Sequence, residues 1–272
     1  MAYSIGTSLD SLRIAAGRVK GIRVVNKFGS SPNVDGATLT DIWDGSVDAP
    51  GAAQPIWLAP TAATAHNITS TADTDGKTSA PNSVGARTIR IYGLTDWDSA
   101  ETSQDITLNG TTAVSTVTAY VIIHRMKVLT SGASGPNTGI IKATAAAAGT
   151  KVTAEIRIGV GQTLMAIYGV PSTQTLYLTS IYGGVLRSVA TAAGDLTLAW
   201  CFDVENQPAV FQAKHRTSMN KDGSTRIQHI YDPPNAFAGP GILKLQATAS
   251  ANDVTVTGGF DAYLINNSLE VL

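Results

Sequence analysis

The sequence predicts an all-β protein, and three observations carry that prediction. Short runs alternate polar and apolar residues, as in Arg87-Thr88-Ile89-Arg90-Ile91, which is the period of a half-buried strand. Gly, Pro, Asn and Asp fall between those runs at the spacing of turns. Across residues 150–272 no helical periodicity of useful length appears. The architecture implied is a β-sandwich plus a jelly-roll-like sandwich, with an extended N-terminal arm ahead of both.

Residues 1–50 read as the arm. Arg13, Arg18, Lys20, Arg23 and Lys27 stand against Asp10 alone, so residues 1–27 carry a net charge of +4. From Phe28 to Asp75 the sign reverses: Asp35, Asp41, Asp44, Asp48, Asp73 and Asp75 meet no Lys or Arg. These runs are either solvated surface or complementary straps that pair between neighbouring subunits. Phe28 and Trp43 are bulky residues amid Gly, Asp and Asn, and either dock onto a partner or tuck onto the chain's own sandwich. In the docking reading Lys27, Phe28, Asp41, Trp43 and Asp44 bind the partner, and deleting residues 1–45 leaves a folded β protein. A short helix fits within Leu9–Val19, weakened by Gly17 and Gly21.

Residues 51–149 read as the first sandwich. One strand is expected at His66–Thr71. The stretch Gly85–Leu129 then reads as a meander, with strands at Arg87–Ile91, Asp105–Leu108 and Ala119–Leu129. Asn109-Gly110 suits a type I′ hairpin turn, because both central residues need φ > 0. A loop over Ser131–Asn137 leads into a strand at Gly139–Thr144. Four alanines ending at Gly149 are too short for a helix, so the internal boundary is expected within Ala145–Thr150.

Residues 150–272 supply eight expected strands: Val152–Ile158, Thr163–Val170, Thr175–Leu186, Leu196–Val204, Ala209–Thr217, Thr225–Tyr231, Ile242–Ser250 and Val254–Ile265. Pro171, Pro208, Pro233-Pro234 and Pro240 lie between them or at their edges, where a residue that cannot donate to the ladder belongs. Eight strands suit a double-sheet jelly roll.

Composition narrows the function. With 43% hydrophobic and 14% charged residues the chain builds a core, and a net charge of −1 argues against general nucleic-acid binding. No apolar run reaches the ~18 residues of a membrane span, and Arg13, Arg18, Lys20 and Arg23 interrupt any signal-peptide core. The single cysteine, Cys201, permits no internal disulfide and reads as an inert buried thiol. His66, His124, His215 and His229 lack metal-type spacing and read as residues on strand faces. Asp73-Thr74-Asp75-Gly76 lacks the later ligands of a calcium loop and reads as a turn. Asp73/Asp75, Asp96/Asp98 and Asp203/Glu205 are i, i+2 pairs, about 7 Å apart on a strand, a separation hydrolases use and chance also supplies. There is no nucleophile elbow, phosphate loop or dinucleotide fingerprint. The expectation is a protein without catalysis, metal or cofactor.

Three stretches carry a resemblance. Asn26–Gly45 (NKFGSSPNVDG…DIWDG), the run GARTIRIYGL…ITLNGTTAV from Gly85 and Gly161–Gly184 (GQTLMAIYGVPSTQTLYLTSIYGG) resemble a family of tailed-bacteriophage virion structural proteins. The resemblance covers most of the chain but rests on strand and turn patterns. It implies a virion location after assembly in the host cytoplasm, and partners among capsid, neck or tail subunits. It also implies a homotrimer, while the net charge and the lack of a long apolar run give the expectation that no nucleic acid and no membrane is bound. The roles it suggests are head decoration or a neck-tail component. The alternative is a tail-associated carbohydrate- or receptor-binding module or a fibre adaptor.

Overall fold

The structure, a computed structural model, describes residues 9–34, 36, 39–46, 54–76, 84–147, 151–187, 196–203, 210–219, 226–250 and 254–269. A single short helix, α1 (Leu9–Ala15), precedes the strands and ends where Gly17 takes a left-handed φ of 67°. The strands are β1 (Ile22–Val34), β2 (Thr40–Asp41), β3 (His66–Ser70), β4 (Ala86–Leu94), β5 (Thr102–Thr107), β6 (Val114–Ser115), β7 (Ile122–Ser131), β8 (Ile141–Ala145) and β9 (Val152–Ile156). They continue as β10 (Ile167–Val170), β11 (Gln174–Arg187), β12 (Leu196–Asp203), β13 (Phe211–Met219), β14 (Arg226–Ala238), β15 (Gly241–Ala249) and β16 (Val254–Asn266). The expected all-β sandwich fold is what the chain adopts.

Two sheets define the larger unit. One runs β1-β16-β11-β14 and the other β10-β15-β12-β13, all antiparallel. Counted in chain order, these eight strands stand as 1-8-3-6 and 2-7-4-5. That is the order obtained by rolling up one long antiparallel hairpin, the double Greek key of a jelly roll. The first strand comes from the presumed arm: β1 pairs with β16 from Ile22↔Ile265 to Val34↔Val254. Val25 and Val34 of β1 join Leu176, Leu178, Phe260 and Leu264 in the core between the sheets. Residues 22–34 are therefore a structural strand, which corrects the arm reading.

The second jelly-roll strand is made of two pieces. β2 pairs with β15 at Asp41↔Gln246, and β10 takes over on the same edge from Ile167↔Lys244. The two join through a three-way exchange: Ile42 N–H to Leu245 O, Leu245 N–H to Ala166 O, and Ala166 N–H to Ile42 O. The chain leaves the strand at Trp43 and returns at Met165, and those two residues form a bridge. The residues between them build the second unit, so it is spliced into a strand of the first.

That inserted unit has two sheets, β6-β3-β8-β9 and β5-β4-β7. Ile68, Ile89, Ile91, Ile106, Ile123, Ile141, Ile156 and Trp57 fill its core, together with Trp43, Met165, Ile167 and Ile242 from the splice and the adjoining sheet. Successive residues at the splice point into different cores, Ile42 into the jelly roll and Trp43 into the insertion. β10 and most of β15 are consequently buried on both faces; in β15 the buried polar residues Lys244 and Gln246 alternate with Leu243, Leu245 and Ala247. The boundary expected within Ala145–Thr150 falls at the β8–β9 hairpin, where Ala143 pairs with Ala154; residues 148–150 lie outside those described. Of the eight strands expected after residue 150, the first therefore belongs to the insertion, and β1 takes its place in the roll.

The meander expected over Gly85–Leu129 holds only in part. β4 pairs with β5 and β7, but β6 pairs with β3 in the other sheet. Asn109-Gly110 therefore carries the chain between sheets instead of closing a hairpin. The reason is competition for its backbone: Gly110, at φ 59°, gives its N–H to Asp75 O, and Thr111 is held by the Asp73 carboxylate at 2.6 Å. Asp75 fixes the same corner from within. Its buried carboxylate accepts from Ser70 Oγ, Ala86 N, Thr138 N and Oγ1, and Gly139 N at 2.7–3.0 Å. The turn expected at residues 73–76 is present, and its carboxylate is occupied by protein donors.

Candidate functional site

Three of the five residues expected to bind a partner, Asp41, Trp43 and Asp44, are the clamp of the splice. Asp41 is fully buried and gathers three donors: Lys244 Nζ at 2.9 Å, Gln246 Nε2 at 2.8 Å and Trp57 N at 2.6 Å. It thus ties β15 to the first residues of the insertion. Trp43 is fully buried, gives its indole N–H to Gln54 O, and lies against Gly45, where any Cβ would collide with its ring. Asp44 accepts from Leu164 N at 2.9 Å, across the stem of the insertion. Lys27 is buried and donates to His124 O of β7. Four of the five proposed docking residues, Lys27, Asp41, Trp43 and Asp44, are thus spent inside the chain, which corrects their reading as a docking surface. Phe28 alone keeps a partly open side chain, 37% exposed. The complementary charges are also met internally, by Asp41 with Lys244 and Arg23 with Glu101, while Asp35 and Asp48 lie outside the described residues.

Asp44 gives a testable signature. Burial is the largest cause pushing its carboxyl up to about 8, and the Leu164 N–H pulls the other way. The unfolded chain ionises this group from pH ~4 upward, whereas the folded one resists until about 8. Its contribution to stability therefore falls as pH rises through that window. Asp44→Asn keeps an oxygen for Leu164 and does not titrate. Its melting temperature is expected to gain on that of the wild type between pH 5 and pH 8, and parallel profiles would contradict this.

Where β1 faces the β4-β5-β7 sheet, a cleft of about 450 Å³ opens between the two units. Glu101 organises its inner wall, accepting from Arg23 at 3.1 Å and from His124 Nδ1 at 2.7 Å. His124 Nε2 accepts the Gly169 N–H, which leaves the ring proton on Nδ1 and the imidazole neutral. Burial is the main reason the His124 pKa is lowered, against the pull of Glu101. Burial alone would raise Glu101, yet His124 and Arg23 bring it down to about 2. Arg23 also donates to the Tyr168 hydroxyl at 2.5 Å. Lys27 forms the floor, and its pKa is lowered to about 7, first by burial and further by Arg125. Sequence spacing gives no hint of this group, because residues 23, 27, 101, 124, 125 and 168 are scattered. Only the inward alternation of Val25, Lys27 and Gly29 on β1 marks Lys27 as unusual.

A second exposed feature lies at the far side of the roll. Along β14, Gln228, His229 and Ile230 are successive exposed residues, as are Asp232–Ala236, so both faces of the strand are open. β13 is similar over Gln212–Lys214. Ile230 is 66% and Val210 53% exposed, and His215 stacks on His229 with centroids 4.9 Å apart.

All four histidines lie on strands, as expected. Asp96 and Asp98 form a turn, in which the Asp96 carboxylate accepts Asp98 N at 2.8 Å and Ser99 Oγ at 2.7 Å. The side chains of Asp203 and Cys201, and the whole of Glu205, lie outside what the structure describes. Among the described residues no three His, Cys, Asp or Glu side chains gather as a metal site. Adding EDTA to purified protein is expected to leave the melting temperature within a degree or two, since only a bound stabilising metal links the two. A larger fall would restore a metal to the account. Comparison with protein families matches none, and comparison with curated proteins finds no match.

Proposed function

We propose that this chain is a structural protein of a tailed-phage particle, acting without catalysis by non-covalent association with copies of itself and with neighbouring virion subunits. The observation that carries the reading is the β13–β14 edge, open on both faces over Gln212–Lys214, Gln228–Ile230 and Asp232–Ala236, with Ile230 exposed on β14 and Val210 exposed just ahead of β13. Strand edges with unspent backbone groups and apolar side chains invite pairing, and a stable contact removes on the order of 800 Å² per partner. The stretches that resemble phage virion proteins, and the jelly-roll order, support the same reading. A closed symmetric assembly, a trimer, disposes of such an edge in every copy.

Light scattering on a sizing column at micromolar protein tests the assembly. The chain weighs 28.2 kDa, and a peak at three times that mass is expected. Ile230→Asp with Val210→Asp is expected to return the monomer with an unchanged far-UV spectrum. A wild-type monomer overturns the trimer, and a trimer that survives both substitutions overturns the β13–β14 contact. Location of the chain in a cryo-electron microscopy map of the particle tests the placement.

A further inference from the structure

We propose that the cleft between β1 and the β4-β5-β7 sheet binds an acidic saccharide, with the carboxylate held by Lys27 and Arg125. This goes beyond the structural role and does not depend on it, since the cleft lies on β1, the insertion and Tyr168 of β10 and shares no residue with the β13–β14 edge.

The charge bookkeeping inside the cleft is unbalanced. Arg23, Lys27 and Arg125 line it together with one carboxylate, Glu101. Both oxygens of Glu101 are taken, Oε1 by Arg23 and Oε2 by His124. Neither Lys27 nor Arg125 forms an ion pair among the described residues. Lys27 has His124 O as an acceptor, and below about pH 7, where burial still lets the amine hold its proton, it carries three N–H donors. Arg125 donates to Gln162 Oε1 and keeps the rest of its fork. Two cations facing a concave space with donors unspent form a receptor for one anion. Lys27 sits at the floor, where burial strengthens the pairing, and Arg125 at the mouth.

The rest of the lining selects the body of the ligand. The lining includes Tyr92, with Lys127 over its ring at 5.5 Å, and the 37% exposed Phe28, which alternation on β1 turns to the face opposite Lys27. Gln162 retains its amide N–H groups beside them. An aromatic surface suits the C–H face of a pyranose, and fork-shaped and amide donors suit adjacent hydroxyls. The volume falls in the range of pockets for small ligands, ~300–1,000 Å³. Position agrees too, since junctions between units are where such sites form.

The test is titration calorimetry of the full chain at pH 6, where Lys27 is charged, with trigalacturonate, with neutral maltotriose and with inorganic phosphate as separate arms. Trigalacturonate is expected to bind, maltotriose at least tenfold more weakly, and phosphate no better than maltotriose. Arg125→Ala, at an exposed position, is expected to weaken trigalacturonate at least tenfold with an unchanged melting temperature. Lys27→Met is expected to do the same, and the Arg125 variant stands alone should Lys27→Met fail to fold. Equal binding of acidic and neutral sugars overturns the role of Lys27 and Arg125. Phosphate binding as tight as trigalacturonate overturns the saccharide in favour of a simple anion site. Absence of binding in every arm, or an unaffected Arg125→Ala variant, overturns the site itself.

Discussion

Deleting residues 1–45 is expected to yield insoluble or unfolded protein, with loss of the β-rich far-UV spectrum. The truncation removes β1 whole and leaves β16 without its partner from Ile22↔Ile265 to Val34↔Val254. It also removes Val25, Val34, Ile42 and Trp43, all buried. At about 1.5–3 kcal/mol for each large apolar side chain, that alone approaches the ~5–15 kcal/mol that separates a native domain from its unfolded state. The other half of the second strand, β10, would also lose the β2 segment that precedes it on the same edge. A soluble truncated protein with an unchanged spectrum and a cooperative melt would show the segment to be dispensable. Trp43→Ala asks the same question at one residue. Truncating a fully buried tryptophan costs about 3–5 kcal/mol, so a clear fall in melting temperature is expected. A stable Trp43→Ala protein that fails only in assembly would return Trp43 to a docking role.

Asp41→Ala is expected to destabilise the chain by about 3–5 kcal/mol, because it leaves a buried cation behind. Lys244 is almost as buried as Asp41, and the Phe211 ring, 3.9 Å from Nζ, is no substitute for a carboxylate. Gln246 Nε2 and the Trp57 N–H lose their acceptor at the same time. For a chain of this size each kcal/mol lowers the melting temperature by about 2–4 °C, so a fall on the order of 10 °C is expected. Replacing both members of a buried pair with apolar groups is often close to neutral. Asp41→Leu with Lys244→Met should therefore recover much of the loss, with calorimetry as the measurement. A single variant that melts within a degree of the wild type would show that the pair does not hold the splice together.

The strands were legible in the sequence wherever one face is buried and the other wet. β4 reads as Arg-Thr-Ile-Arg-Ile because Ile89 and Ile91 face the core while Arg90 does not. Which strands pair was not legible, because period-2 alternation records facing and says nothing of neighbours. β1 was missed for a specific reason. Its inward positions are Val25, Lys27, Gly29 and Ser31, so only one of them is a large apolar residue. Gly29 is inward because Ile42 O and Ala166 N pass where a side chain would be, a constraint set by residues far away in sequence. The splice hid in the same way: β2 spans only Thr40–Asp41, and although a strand was expected at Thr163–Val170, nothing local shows that β10 continues β2 on the same edge of the sheet. The cluster Asp-Ile-Trp-Asp-Gly was noticed, but its acids looked like surface features because their partners Lys244, Gln246 and Leu164 lie more than a hundred residues on. The cleft was invisible for the same cause, since its residues come from β1, β4, β7, β10 and the loops beside them.

The most direct test of a jelly roll whose first strand is residues 22–34 is amide hydrogen exchange on the intact protein. In antiparallel register, Val24 pairs with Tyr263 and Asn26 with Asp261, and β16 is a central strand of its sheet. Amides of β1 that face β16 are expected to exchange as slowly as those of β16, since both open only when the sheet opens. Exchange of the whole of β1 at free-chain rates, while β16 stays protected by β11, would contradict the account and restore the N-terminal segment as an arm.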